Sequence, residues 1–217
     1  MKQRIKDDVF VYAEGGGSGA DSAALQAEFR QAFADFFSKT VLGKTRRPRV
    51  VSCGGREQAF DAFKTARAQG KNALLLVDSE DPVSAAHQPP PPGNWQPWAH
   101  LKQQANWNQT PGSSDDDCHM MVQCMESWFL ADAAALSEFF GNGFNNAVLP
   151  ANQNIEQLLK PDVYQALEQA TKSCKTKVGY SKGAHSFKLL SKIDPEKVMA
   201  ASPWAKRFID ELAKRKS

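Results

Sequence analysis

Short apolar runs alternate with helical periodicities along the first 140 residues. Val9-Phe10-Val11-Tyr12-Ala13 is apolar and β-prone and predicts a buried strand. It stops at Glu14-Gly15-Gly16-Gly17-Ser18-Gly19, which continues neither a strand nor a helix. Asp21 or Ser22 can cap the next element, where Leu25, Phe29, Phe33 and Phe36 or Phe37 recur at helical spacing to about residue 39. Val50–Cys53 predicts a second strand, broken by Gly54-Gly55. Phe60, Phe63 and Ala66 mark a second helix that Gly70 ends. Ala73–Val77 is the clearest strand and runs into Asp78-Ser79-Glu80-Asp81. Residues 82–117 carry consecutive prolines and three tryptophans, and predict a long loop with one short helix near Trp98–Asn106. His119–Cys124 reads as a fourth strand, followed by a helix from about Met125 to Phe140.

Beyond residue 140 the pattern is helical and more polar, around Ile155–Leu159, Val163–Thr171, His185–Ile193 and Pro203–Lys214. Strands alternating with helices predict an α/β fold: a mainly parallel, Rossmann-like sheet flanked by helices. The expected organisation is an α/β core over residues 1–140, containing the loop 82–117, and a helical C-terminal extension over 141–217 packed on it.

Composition changes this picture little. With 41% hydrophobic residues, 13 Phe and 5 Trp in 217 residues, a packed core is expected. A formal net charge of +3 neither argues for a nucleic-acid partner nor excludes one. No apolar run approaches the roughly 18 residues of a membrane span, and the charged N-terminal segment lacks the apolar stretch of a signal peptide. Cys53, Cys118, Cys124 and Cys174 form no CxxC pair, which speaks against structural zinc and for reduced thiols in the cytoplasm.

Candidate chemistry lies at the strand ends. Open α/β sheets bind ligands outside the C-terminal ends of their strands. Strand one delivers Glu14 there, strand three delivers Asp78, Glu80 and Asp81, and strand four leads into Glu126. Carboxylates gathered without cations repel one another, and a hard divalent ion such as Mg²⁺ or Mn²⁺ relieves that repulsion through oxygen ligands. The glycine loop lacks the Gly-Lys-Ser/Thr ending of a Walker motif, so ATP hydrolysis is not indicated. Gly15 and Gly16 would instead let backbone come close to Glu14 and its ligand. Asp132 falls within the apolar face of the Met125–Phe140 segment and needs a partner, with a structural ion pair favoured over direct ligation. Lys182 and His185, in the basic loop Gly179–Ser186, are candidates to stabilise phosphate charge and to shuttle protons.

These residues resemble a known family. Val11-Tyr12-Ala13-Glu14-Gly15 with Leu75-Leu76-Val77-Asp78-Ser79-Glu80-Asp81 looks like the glutamate and Asp-x-Asp motifs of TOPRIM domains. Met121–Asp132, Lys182–Phe187 and Ile193–Val198 with Ala201-Ser202-Pro203 resemble segments of a TOPRIM-like bacterial family. Its members accompany AAA or ABC-type ATPases in phage-defence, abortive-infection loci, and they resemble the TOPRIM half of overcoming-lysogenisation-defect nucleases. The resemblance implies a TOPRIM-like fold and a Mg²⁺- or Mn²⁺-dependent nuclease acting on DNA or RNA beside an ATPase partner. Glu14 would be the TOPRIM glutamate and Asp78 with Glu80 the acidic pair. The chain departs from Asp-x-Asp by carrying Glu at the second position with Asp81 adjacent, so either Glu80 or Asp81 can be the ligand. Glu126 would be a further acidic ligand and Lys182 a phosphate-facing cation. Two alternatives stand beside this: a non-catalytic interaction subunit of an ATPase complex, and a nucleotide-handling phosphotransfer enzyme. A shared ion site requires the Glu14, Asp78, Glu80 and Glu126 carboxylates to lie within roughly 4–8 Å of one another.

Overall fold

The computed structural model describes residues 8–17, 22–44, 47–90, 94–151, 154–177 and 179–216. Four parallel strands form one sheet: β1 (Phe10–Ala13), β2 (Arg49–Ser52), β3 (Ala73–Asp78) and β4 (Cys118–Met121), in the order β2-β1-β3-β4. The reversal of strand order lies between β1 and β3, which pair directly from Phe10 with Ala73 to Ala13 with Leu76. This places the ends of β1 and β3 side by side. Helices α1 (Ala23–Ser38), α2 (Arg56–Ala68), α3 (Pro97–Ala105) and α4 (Ala133–Phe140) follow the strands. The chain then adds α5 (Lys160–Thr171), α6 (Lys182–Leu190), α7 (Pro195–Ala201) and α8 (Pro203–Lys216). The strand–helix alternation thus yields the expected α/β sheet flanked by helices. No helix among the described residues is long and apolar enough to cross a membrane.

Every residue of β3 and β4 is buried, as expected of parallel strands covered on both faces. Val11, Ala13, Leu74 and Leu76 face a core built from the α1 phenylalanines, Trp128, Phe140 and Phe208. Tyr12, Leu75, Val77 and Met120 face a second core with Phe60, Phe63, Trp98 and Trp107. The described part of the loop after β3 is therefore wall and not decoration. Trp107 stacks on Phe60 with ring centroids 4.3 Å apart, and the Trp98 indole N–H donates to the Ser114 carbonyl. The acidic run Asp115–Asp117 that ends this loop is held by arginines: Arg207 reaches Asp116, and Arg67 and Arg215 reach Asp117.

Two expectations need correction. The strand expected over His119–Cys124 ends at Met121. The helix expected over Met125–Phe140 is two elements, a 3-10 helix over Met125–Ala131 and α4 from Ala133. Asp132 makes the break. Its backbone is non-helical, and its carboxylate accepts from the Ala135 N–H as an N-cap. The same carboxylate accepts from the Asp194 N–H at 3.0 Å and from Lys197 Nζ at 2.6 Å, tying α4 to the start of α7. Among the proposed caps of α1, Asp21 lies outside the described residues, and Ser22 occupies the cap position without a side-chain cap bond.

His119 shows how the C-terminal helix is fastened. It is fully buried on β4, its Nε2 lies 3.0 Å from the Asp116 carbonyl, and its Nδ1 lies 3.1 Å from Arg207 Nη1. Arg207 can only donate, so Nδ1 accepts, Nε2–H donates, and the ring is neutral. Burial first, and Arg207 second, hold its pKa well below the ordinary value of 6.5.

Two predictions follow from these contacts. Asp132→Ala removes three hydrogen bonds, one of them the cap of α4, and is expected to cost about 2 kcal/mol in urea denaturation, while Asp132→Asn costs less. The unfolded chain binds a proton at His119 that the fold refuses, so stability falls as pH drops below about 6.5. His119→Gln, which keeps a donor and an acceptor, is expected to flatten that slope, as read from denaturation midpoints between about pH 5 and pH 7.5.

Candidate metal centre

The first acid leaves the sheet at the end of β1. Glu14 continues the ladder, its N–H donating to the Leu76 carbonyl, and Gly15 then pairs reciprocally with Gly54 across the ends of β1 and β2. Gly15 has φ +135°, and a Cβ there would run into the Phe29 ring, while a Cβ on Gly16 would strike the Ser52 hydroxyl. These two glycines are thus demanded by packing against α1 and β2. Gly17 borders the cavity described below, and Ser18 and Gly19 lie outside the described residues.

The next acids come from β3. Asp78 is 4% exposed. Its Oδ1 accepts from the Met125 N–H at 2.9 Å, and its own N–H donates to Glu14 Oε2 at 3.2 Å. Glu80 adopts φ +66°, a left-handed conformation uncommon outside glycine. Its N–H donates to the Gln123 carbonyl. With this turn Glu80 joins Glu14 and Asp78 in a group whose candidate ligand oxygens all lie within 4.8 Å of one another. Asp81 is exposed and outside that group. The choice between Glu80 and Asp81 falls geometrically to Glu80.

Glu126 sits on the 3-10 helix after β4 and is 0% exposed. Its Oε1 accepts from the Tyr180 hydroxyl and the Ser186 hydroxyl, each at 3.3 Å, with Lys182 Nζ at 3.8 Å. Its Oε2 is buried without a partner. Glu126 lines a cavity of about 210 Å³ together with Glu14, Asp78, Gly17, Lys182 and Ser186, with Met121, Met125 and Phe187 as apolar wall. Lys182, 61% exposed, begins α6 at the rim and donates to the Tyr164 hydroxyl at 3.0 Å.

Electrostatics matches this crowding. Burial raises the Asp78 pKa well above the usual carboxylate value, and Glu14 and Glu126 add to the effect. Burial also raises Glu14, against the lowering effect of the Asp78 N–H. Tyr164 and Tyr180 are pushed above the ordinary tyrosine range, first by burial and then by Glu126, so both stay protonated and can donate. Cys124 is driven up to about 12 by burial and by Asp78 and Glu126, which removes it as a nucleophile near neutral pH.

His185 stands apart from the acids, and Asp132 makes a structural ion pair, with Lys197, of the kind favoured over ligation. His185 faces Phe139, Phe140 and Tyr180, and its Nδ1 accepts from the Ser181 N–H, so it belongs to the packing and capping of α6. Asp132 is engaged with α4 and α7, as described above.

Other members of the site were not singled out from the sequence. Lys160, the first residue of α5, places Nζ 2.6 Å from Glu80 Oε2 and 3.8 Å from Asp78 Oδ2. Tyr164, Tyr180 and Ser186 supply the hydroxyls around Glu126 and Lys182. The loop Gly179–Ser186 attracted attention for its charge, but its hydroxyls hold the carboxylate.

The donor set fits a hard divalent cation. It consists of carboxylate oxygens within 4.8 Å of one another, a group that need only draw in toward the separations of about 3–4.2 Å that neighbouring and opposite oxygens take around one ion with metal–oxygen distances of about 2.1 Å. The orphaned Oε2 of Glu126 is a further oxygen beside the same cavity. Glu126 itself depends on its donors. The double variant Tyr180→Phe/Ser186→Ala is expected to lose about 2–3 kcal/mol of stability, because a buried carboxylate is left without hydrogen bonds. In a Glu126→Gln background the same pair should cost markedly less, which a double-mutant cycle in urea measures.

No curated protein and no solved structure gives a significant match to the chain. One family does: the profile described as Domain of unknown function (DUF4276) matches residues 13–213, which takes in every acid of the cluster and both lysines. The chain therefore belongs to the DUF4276 family.

Proposed function

We propose that this protein is a Mg²⁺- or Mn²⁺-dependent hydrolase of phosphodiester bonds in DNA or RNA, built on a TOPRIM-like scaffold. The observation that carries the reading is the convergence of Glu14, Asp78 and Glu80 within 4.8 Å, beside a cavity into which buried Glu126 presents an unpartnered oxygen. A bound divalent ion supplies an activated water and stabilises the leaving oxygen. Glu14, Asp78 and Glu80 would hold it, and Glu126, outside that group but on the same cavity, would offer a further oxygen. Lys182, exposed at the rim, faces the phosphate and offsets its charge. The apolar wall of Met121, Met125 and Phe187 keeps bulk water from the carboxylates.

The TOPRIM resemblance supplies the setting. The protein would act as the cleaving effector of an anti-phage, abortive-infection system, beside an AAA or ABC-type ATPase. A second reading, a non-catalytic subunit of such a complex, draws support from Lys160, because an ammonium already partly neutralises the cluster.

The test is cleavage of plasmid DNA and of structured RNA by the purified protein with Mg²⁺ or Mn²⁺. Glu14→Ala and Asp78→Ala are each expected to lower the rate by about a hundredfold or more while leaving a cooperative melting transition. Lys182→Ala should slow cleavage with little change in Mn²⁺ affinity. Carboxylate variants that cut as fast as wild type would sink the proposal. Wild type that binds no Mn²⁺ but co-purifies stoichiometrically with an ATPase would favour the second reading.

A further inference from the structure

We propose that the Lys160 ammonium is a resident cation of the acidic cluster, which occupies the place of the divalent ion and leaves when the ion binds. The inference rests on the metal-centre reading above. It concerns a residue that neither the TOPRIM motifs nor the periodicity of the chain pointed to.

Lys160 does not behave as a surface ion pair. Pairs such as Lys206–Asp210 join side chains one helical turn apart with both partners mostly exposed. Lys160 reaches across 80 positions of sequence to Glu80 at 2.6 Å and stands 3.8 Å from Asp78, with its side chain 23% exposed. Its two partners are two of the three members of the candidate ligand group. Lys182 is placed differently, at the rim, on Glu126 and the Tyr164 hydroxyl.

Ion and ammonium compete for the same oxygens. A metal bound to Glu80 Oε2 at about 2.1 Å would lie no more than about 4.7 Å from an ammonium kept at its present distance. At that separation, in a partly buried site, a divalent ion and an ammonium repel strongly. The backbone favours release of the side chain over movement of the helix. Lys160 opens α5, and its N–H is held by Gln123 Oε1 at 3.1 Å, so the four-carbon stem can swing toward solvent while the helix stays in place. In the ion-free protein the ammonium steadies three crowded carboxylates, and it sets a threshold that a divalent ion must overcome.

The test uses the full chain and Mn²⁺ alone. Calorimetric titration is expected to show Lys160→Gln and Lys160→Met binding Mn²⁺ about tenfold more tightly than wild type. In wild type, labelling of Lys160 by an amine-reactive reagent, read by mass spectrometry, should speed up when Mn²⁺ is added. This second readout needs no variant to fold. Equal or weaker Mn²⁺ binding by the variants, or Lys160 labelling that is unchanged or slowed, overturns the proposal and leaves the metal centre standing. Failure of wild type and both variants to bind Mn²⁺ overturns the metal centre itself, and this inference with it.

Discussion

Crowded negative charge at the end of β3 is the constraint around which the molecule is arranged. Asp78 is almost fully buried, Glu14 touches its backbone, and Glu126 lies on the same cavity. Buried carboxylates without compensation are among the costliest features a fold can carry. Compensation arrives piece by piece: the Met125 N–H on Asp78, the Asp78 N–H on Glu14, two hydroxyls on Glu126, and Lys160 on Glu80. Four carboxylates face Lys160, Lys182 and, at longer range from Glu14, Arg56, fewer cations than acids among the described residues. Burial first, and the neighbouring acids second, hold the Asp78 pKa well above the ordinary value, and a divalent cation would relieve the repulsion.

Seen from the acids, the C-terminal helices have a definite task. The sheet contributes Glu14, Asp78 and Glu80, and the later chain supplies the countercharge of Glu80 and the partners of Glu126, with Lys160 on α5, Tyr180 before α6, and Lys182 and Ser186 within it. Packing enforces the association. Phe187 of α6 meets Phe29 of α1 edge-on, Phe208 of α8 meets Phe37 of α1, and Arg207 binds the Cys118 carbonyl on β4. The core that fixes these helices also fixes where their lysines point.

The strands, the parallel sheet and the acids at its ends were legible because their signals are local. An apolar run ending in Glu-Gly-Gly or Asp-Ser-Glu announces both the strand and what it presents. The choice between Glu80 and Asp81 was not legible, since it turns on one left-handed residue at Glu80 that no neighbouring glycine foretells. The break at Asp132 was hidden because Met125–Phe140 keeps a helical apolar period through it, while two of the three partners of its carboxylate, Asp194 and Lys197, stand more than 60 residues away. Gly15 and Gly16 line the cavity beside Glu14, as their position at the strand end suggests, but the steric demand of the Phe29 ring and the Ser52 hydroxyl on them has no local signal. Lys160 left no trace in its own segment, because a lysine before Pro161 at a helix start is common and its partner lies 80 positions back.

The chemistry open to the site is narrowed by what each group has already been given to do. Cys124 is held protonated, His185 is committed to the start of α6 and an aromatic pocket, and the tyrosines around Glu126 are held as donors. None of these is a nucleophile poised near neutral pH, which suits a reaction whose attacking oxygen is supplied by water. Acids grouped closely enough to share a cation, an ammonium at the rim and a cavity between them form an arrangement suited to a charged ligand, and it is on this ground that cleavage of a phosphodiester is proposed. On the proposed reading the two lysines would divide the work by exposure: Lys160, drawn into the acids, would govern whether the cation site is open, and Lys182, at the solvent edge, would meet what the cavity receives.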